Sequence, residues 1–159
     1  VGHAIARRAL AFDMTVHYTD LREQPQSGYQ FVPDLIALAE RSDVLILAAS
    51  ADQGSAIITS EVLEALGANG YLINLARGKL VDEQALISAL QNGTIAGAGL
   101  DVFVDEPRVP QALRELKNVV LQPHRASATE QTRLAMGDIV LANLQACFAG
   151  ERLPTAVAC

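Results

Sequence analysis

Arg77, Glu106 and His124 follow one another along the chain, and each stands where an apolar run gives way to a turn. Leu72-Ile73-Asn74-Leu75 leads into Ala76-Arg77-Gly78, residues 95–103 lead into Asp105-Glu106-Pro107, and Val119-Val120-Leu121 leads into Gln122-Pro123-His124. The three side chains make a set capable of chemistry on a small anion. The planar guanidinium fork of an arginine grips a carboxylate through paired hydrogen bonds. An imidazole carries a proton near neutral pH, and a carboxylate facing it fixes its tautomer and favours its protonated form. Each residue also has a plainer reading: Arg77 as a surface cation in a turn, Glu106 as a solvated acid beside Asp105, His124 as a surface histidine. Convergence decides between the two readings, and convergence depends on the fold.

The elements that must position these residues alternate. Residues 3–12 carry Ile5, Leu10 and several alanines at helical spacing. Residues 15–19 read as a strand ending at Asp20, 21–32 as a polar loop, 34–41 as a short helix and 43–49 as a buried strand. Ser60 is the expected cap of a helix over 61–66 that Gly67 ends. A strand over 71–75 follows, then a helix over 83–91 capped by Asp82 and closed by Gly93. Next come a strand over 95–103, a short amphipathic turn around 113–116 and a strand over 118–121. The last helix opens with Ser127-Ala128-Thr129-Glu130, a capping-box pattern, and runs to about Phe148.

This alternation predicts an α/β fold with a doubly wound, mostly parallel sheet of the Rossmann type. The strand runs are apolar on both faces, as a sheet covered by helices on both sides requires. Ligands of such sheets bind outside the carboxyl ends of the strands, where Arg77, Glu106 and His124 stand. The chain opens on Val1-Gly2 and goes straight into a helix. The sheet is therefore expected to be N-terminally truncated, without its first, central strand.

At 159 residues, half of them hydrophobic, the chain can bury one core of ordinary domain size. With no Trp and 4% aromatics, that core must be aliphatic. A net charge of −6 without a basic stripe argues against nucleic acid. No apolar stretch reaches the roughly 20 residues that span a bilayer, and no leader resembles a signal peptide. Cys147 and Cys159 are isolated, which predicts free thiols in a reducing, cytoplasmic compartment and no metal site.

Gly2 before a helix, and Asp20 after the next strand 18 residues later, fit the tail of a dinucleotide-binding fingerprint. In that motif the helix N-terminus receives a pyrophosphate and the acid meets the ribose. A turn glycine and a turn aspartate are the plain alternative. Asp101 closes the run Gly97-Ala98-Gly99-Leu100, whose small residues imply close approach of another backbone or of a ligand. A buried Asp there needs a partner, either a ligand amide or a local backbone group. His3 and His17 read as ordinary.

Four segments together resemble the D-isomer-specific 2-hydroxyacid dehydrogenases. They are Ala-Arg-Gly-Lys-Leu-Val-Asp-Glu-Gln-Ala-Leu (76–86), Gly-Ala-Gly-Leu-Asp-Val-Phe-Val-Asp-Glu-Pro (97–107), Asn-Val-Val-Leu-Gln-Pro-His (118–124) and Ser-Ala-Thr-Glu-Gln-Thr-Arg (127–133). The chain looks most similar to the glyoxylate/hydroxypyruvate/2-ketogluconate reductase branch. The resemblance covers residues 1–159, as a partial dinucleotide-binding domain with its C-terminal helix at about 128–149. It implies a separate N-terminal substrate domain, absent from this chain, and a homodimer when full length. It implies NAD as cofactor, with NADP possible because Arg22 follows Asp20, and a small 2-keto or 2-hydroxy acid as substrate.

The resemblance also assigns roles. Arg77 would hold the substrate carboxylate, His124 would protonate the carbonyl oxygen as hydride arrives, and Glu106 would orient His124 and favour its protonated form. Asp101 would meet the nicotinamide carboxamide and Asp20 the ribose, with Gly2, Ala48, Leu75 and Ser127 lining the cofactor cleft.

Departures from the family pattern are Asp13, where a helix-ending glycine is usual, and Ala49-Ser50-Ala51-Asp52 in place of a Pro and Thr. A non-catalytic corepressor of the same fold is the alternative from another class, without support from any extra regulatory segment. An incomplete chain that neither folds well nor binds cofactor is another. Formate dehydrogenases carry Gln at the position of Glu106, which sets them aside.

Overall fold

A computed structural model describes residues 1–49 and 54–157. The departures at Ser50, Ala51 and Asp52, and the second cysteine, Cys159, lie outside these described residues. The chain divides into two compact units, Val1–His124 and Arg125–Cys159.

In the first unit, short strands and helices alternate: α1 (Gly2–Leu10), β1 (His17–Tyr18), β2 (Gln30–Phe31), α2 (Leu35–Glu40), β3 (Val44–Leu47), α3 (Ser60–Leu66), β4 (Tyr71–Asn74), α4 (Glu83–Asn92), β5 (Gly97–Leu100), α5 (Gln111–Glu115) and β6 (Val119–Leu121). β1 pairs with β2, and β3-β4-β5-β6 form a separate four-stranded sheet in chain order. Each of these pairings is parallel, and in the four-stranded sheet α3, α4 and α5 are the crossovers that bring each strand back in the same direction.

Register separates the two faces of the sheet. Leu45, Leu72, Ala98 and Val119 form one row, and Leu47, Asn74, Leu100 and Leu121 form another on the same face. These rows join Leu38 of α2, Leu63 and Leu66 of α3, and Leu86 and Leu90 of α4 in one aliphatic core. Burying each such leucine contributes about 1.5–3 kcal/mol. The opposite face carries Ile46, Ile73, Gly99 and Val120 in a row, and Ile46 and Val120 are exposed. α2, α3 and α4 all contribute to the core on the first face.

Local signals mostly act as expected. The Asp34 carboxylate caps α2 by accepting from the Ala37 N–H at 2.7 Å, and Asp82 caps α4 through the Ala85 N–H at 3.0 Å. Gly93 ends α4 in the left-handed conformation, φ 71°. Asp13 takes φ 58°, so the family's glycine position keeps its left-handed backbone with an aspartate, a residue type that tolerates it.

Three elements differ from expectation. Ser60 is the first residue of α3 and Thr59 its N-cap, without a side-chain capping bond. The loop over 21–32 contains β2, too short for periodicity to reveal and tied to β1 by the His17–Gln30 side-chain hydrogen bond of 2.9 Å. The strand expected over 95–103 is confined to Gly97–Leu100.

The second unit is built on α6 (Glu130–Ala149), which Gly150 ends at φ 70°. Its N-cap is Thr129, whose hydroxyl accepts from the Thr132 N–H at 3.2 Å. The N-cap expected at Ser127 is thus displaced by two residues, and no capping box forms because the third helical residue is Thr132. Asn143 ties the C-terminal segment to α6: its Nδ2 donates to Thr155 Oγ1 at 2.8 Å, and its Oδ1 accepts from the Thr155 N–H at 3.3 Å. Leu134, Val140, Leu141 and Phe148 are exposed on this helix.

Candidate functional site

Register brings the strand ends level. Leu47, Asn74, Leu100 and Leu121 end β3, β4, β5 and β6 in one row of partners. The residues that follow leave the sheet from one carboxyl edge: Ala48 after β3, Leu75 through Arg77 after β4, Asp101 through Glu106 after β5, and Gln122 through His124 after β6. Arg77, Lys79, Phe103, Val104, Glu106 and His124 line an open cleft of about 420 Å³ there. The three residues singled out from sequence therefore share one cavity.

Their connections run through backbone as well as side chains. His124 Nδ1 lies 2.7 Å from Glu106 Oε2, and Glu106 Oε1 accepts the Phe103 N–H at 3.0 Å. The hydrogen bond from His124 holds the Glu106 carboxyl below its ordinary value of 4.5, and the Phe103 N–H adds to this. Partial burial opposes the shift, and the charges of His124 and Arg77 support it. His124 itself sits at φ 50°, a left-handed backbone uncommon for a side chain other than glycine, Asn or Asp.

On the other side of the cleft, Arg77 Nη1 donates to the Ala76 carbonyl at 2.6 Å. Gly78 lies against the Phe103–Val104 peptide, so that a Cβ added there would stand 2.0 Å from the Phe103 carbonyl carbon. The space is filled by the chain's own backbone, which locks the arginine segment onto the segment that holds Glu106.

Asp101 is buried, and its N–H donates to the Asn74 carbonyl at 2.9 Å. The small residues before it admit neighbouring strands: a Cβ on Gly97 would meet the Asn118 carbonyl oxygen at 2.7 Å, and one on Gly99 would meet Ile73 at 3.0 Å. Leu75 is half-buried beside the arginine turn. Gly2 stands next to Ala48, 3.8 Å from its Cβ to a Cβ built on the glycine, so α1 begins at the carboxyl end of β3. Asp20 is exposed after β1, and its Oδ1 accepts the Leu21 N–H at 2.7 Å; it does not line the cleft. Ser127 is exposed and belongs to the second unit.

Two residues of the site escaped the sequence reading. Lys79 adds a second cation to the cleft. Asn74 is almost fully buried at the end of β4, and the available signal was an amide closing an apolar run directly before Arg77. Among the described residues no cluster of His, Cys, Asp or Glu could hold a metal ion.

The sequence profile of the D-isomer specific 2-hydroxyacid dehydrogenase NAD binding domain matches residues 1–126. The chain belongs to this family. It is 51% identical over 158 residues to a 2-ketogluconate reductase of Gluconobacter oxydans, covering 99% of this chain and 51% of that protein. It is 47% identical over 158 residues to the glyoxylate/hydroxypyruvate reductase A of Arabidopsis thaliana, covering 99% of this chain and 50% of that one.

Among solved structures, an NADPH-dependent glyoxylate/hydroxypyruvate reductase from Sinorhizobium meliloti, in complex with NADP and malonate, superposes with a TM-score of 0.93 at 47% identity. That match covers 99% of this chain and 50% of the solved one. The chain thus spans about half the length of the relatives it matches. Membership of the family agrees with the parallel sheet and with the carboxyl-edge position of the cleft. No helix among the described residues is long and apolar enough to cross a membrane.

Proposed function

We propose that these residues form the dinucleotide-binding part of an NAD(P)-dependent reductase that converts small 2-keto acids to D-2-hydroxy acids. The observation that carries this reading is the Glu106–His124 pair, 2.7 Å apart, in one cleft with Arg77. The residues present fit a dinucleotide. The N-terminus of α1 at Gly2 adjoins Ala48, and helix N-termini favour phosphate. The exposure of Asp20 after β1 supports a role towards ribose hydroxyls, and Asp101 lies at the same edge as Arg77. Asp20 favours NAD and Arg22 would suit the 2′-phosphate of NADP, so the cofactor is written NAD(P). When bound, its reduced nicotinamide supplies the hydride.

The chain's own groups do the rest. Arg77 grips the substrate carboxylate through its guanidinium fork and polarises the adjacent carbonyl. His124 uses Nδ1 for Glu106, which leaves Nε2 to give a proton to the carbonyl oxygen and to take it back in the reverse direction. Glu106, ionised and held at both oxygens, fixes the tautomer and angle of the imidazole. Leu75 adds to the cofactor lining in this reading. The exposed apolar residues of α6 support burial against further protein, including the second copy of a homodimer. Cys147, an exposed free thiol, suits a reducing cytoplasmic compartment.

The test uses the protein as its gene encodes it, with glyoxylate or hydroxypyruvate and NAD(P)H. His124→Ala should lower turnover by about 10²–10⁴-fold, the usual worth of a positioned acid. Arg77→Ala should raise KM and also lower kcat. The 159 residues alone should show little turnover. An unchanged rate after His124→Ala would remove the proposed acid.

A further inference from the structure

We propose that Asn74 is a positioning residue for the Arg77 clamp, an assignment that rests on the carboxylate-gripping role given to Arg77 above. Asn74 is the last residue of β4, and its partners in the row, Leu47 and Leu100, are both leucines. A third leucine would extend the core at no polar cost, whereas a buried amide costs free energy unless both its ends are bonded. Both ends are. Asn74 Nδ2 donates to the Arg77 carbonyl at 3.0 Å, and Asn74 Oδ1 accepts the Ala76 N–H at 3.0 Å.

These two bonds fall on the N–H of Ala76, the residue before Arg77, and on the carbonyl of Arg77 itself. They fix the course of the backbone through Arg77, and with it the direction in which the side chain leaves. The guanidinium is anchored on the Ala76 carbonyl, part of the same turn. The backbone carbonyl of Asn74 meanwhile accepts from the Asp101 N–H at 2.9 Å. One residue thus sets the arginine turn and ties it to the strand end that carries Asp101. Arg77 is exposed and has no strand ladder to hold it, so its placement depends on the turn beneath it.

The experiment is a double-mutant cycle in the intact protein, combining Asn74→Ala or Asn74→Asp with Arg77→Ala. Asn74→Asp keeps the size and the acceptor for the Ala76 N–H, and sets an oxygen against the Arg77 carbonyl in place of the donor. It therefore remains informative where Asn74→Ala fails to fold. With Arg77 present, either change should raise KM for the keto acid about tenfold, the scale of one lost buried hydrogen bond. In the Arg77→Ala background the same change should move KM less than about twofold, because coupled groups are non-additive. NAD(P)H affinity, read by fluorescence titration, should stay within about twofold throughout, since the bond to Asp101 is made by backbone. A KM rise of equal size in both backgrounds, or none, overturns the assignment. If Arg77→Ala alone leaves KM unchanged, the clamp role of Arg77 is what fails, and the role of Asn74 falls with it.

Discussion

Gly78→Ala tests whether the site is held together through backbone. A Cβ at this position would stand 2.0 Å from the Phe103 carbonyl carbon, 2.2 Å from its oxygen and 2.4 Å from the Val104 nitrogen. Ordinary contact begins at 3.4 Å, so one segment must retreat by about 1.4 Å. Neither moves freely. On one side Arg77 is held through Asn74, and on the other the Phe103 N–H holds Glu106. Overpacking of this kind costs about 1–3 kcal/mol, and breaking either hydrogen bond adds roughly 1 kcal/mol.

A functional loss of similar size should accompany the loss of stability. A misplacement near 1 Å costs about 10²-fold in rate when it separates groups that must act together. Here it would move Arg77 relative to the Glu106–His124 pair. The measurements are urea denaturation and kcat/KM for hydroxypyruvate in the intact protein, with NAD(P)H affinity as a control. We expect destabilisation of about 2–4 kcal/mol and a fall of about 10²-fold in kcat/KM. A variant with stability within about 0.5 kcal/mol of the parent and kcat/KM within about threefold would refute the tight Gly78–Phe103 contact.

Two further predictions follow from the same geometry. The Glu106 carboxyl should titrate below 4.5 in the folded protein. Its folded value is depressed, so the stability contributed by the pair is present above the ordinary value of 4.5 and is lost as pH falls through the folded value. Side-chain carboxyl NMR should show the midpoint moving upward in His124→Ala, and an unmoved midpoint would show that His124 is not the main cause. At α6, Thr129→Ala should cost about 1 kcal/mol of stability as a lost N-cap, while Ser127→Ala should cost nothing through capping; the reverse order in thermal denaturation would return the cap to Ser127.

Much of this site is legible in the sequence because turn chemistry is local. Asp82 and Gly93 bound α4 as their side chains dictate, since a carboxylate reaches the third backbone N–H and a glycine takes a left-handed backbone without strain. Arg77, Glu106 and His124 stand out because each polar group follows an apolar strand run. Where local alternatives compete, sequence resolves less. Thr129 and Ser127 are equally able caps, and the choice of Thr129 depends on where the chain turns into α6. β2 escapes notice because two residues carry no period, and pairing with β1 alone defines it.

By itself, the sequence determined the alternation of elements and the aliphatic core, and it singled out Arg77, Glu106 and His124 as candidates. Tertiary structure decided what those residues touch. Parallel register aligned Leu47, Asn74, Leu100 and Leu121, and so brought four separate turns to one edge. It also decided that the Gly78 space belongs to the Phe103 backbone and that Asn74 is a buried clasp. Propensity and capping act within a few residues of each other. Contacts across 18 residues, as between Glu106 and His124, exist only once the sheet has fixed where each strand ends.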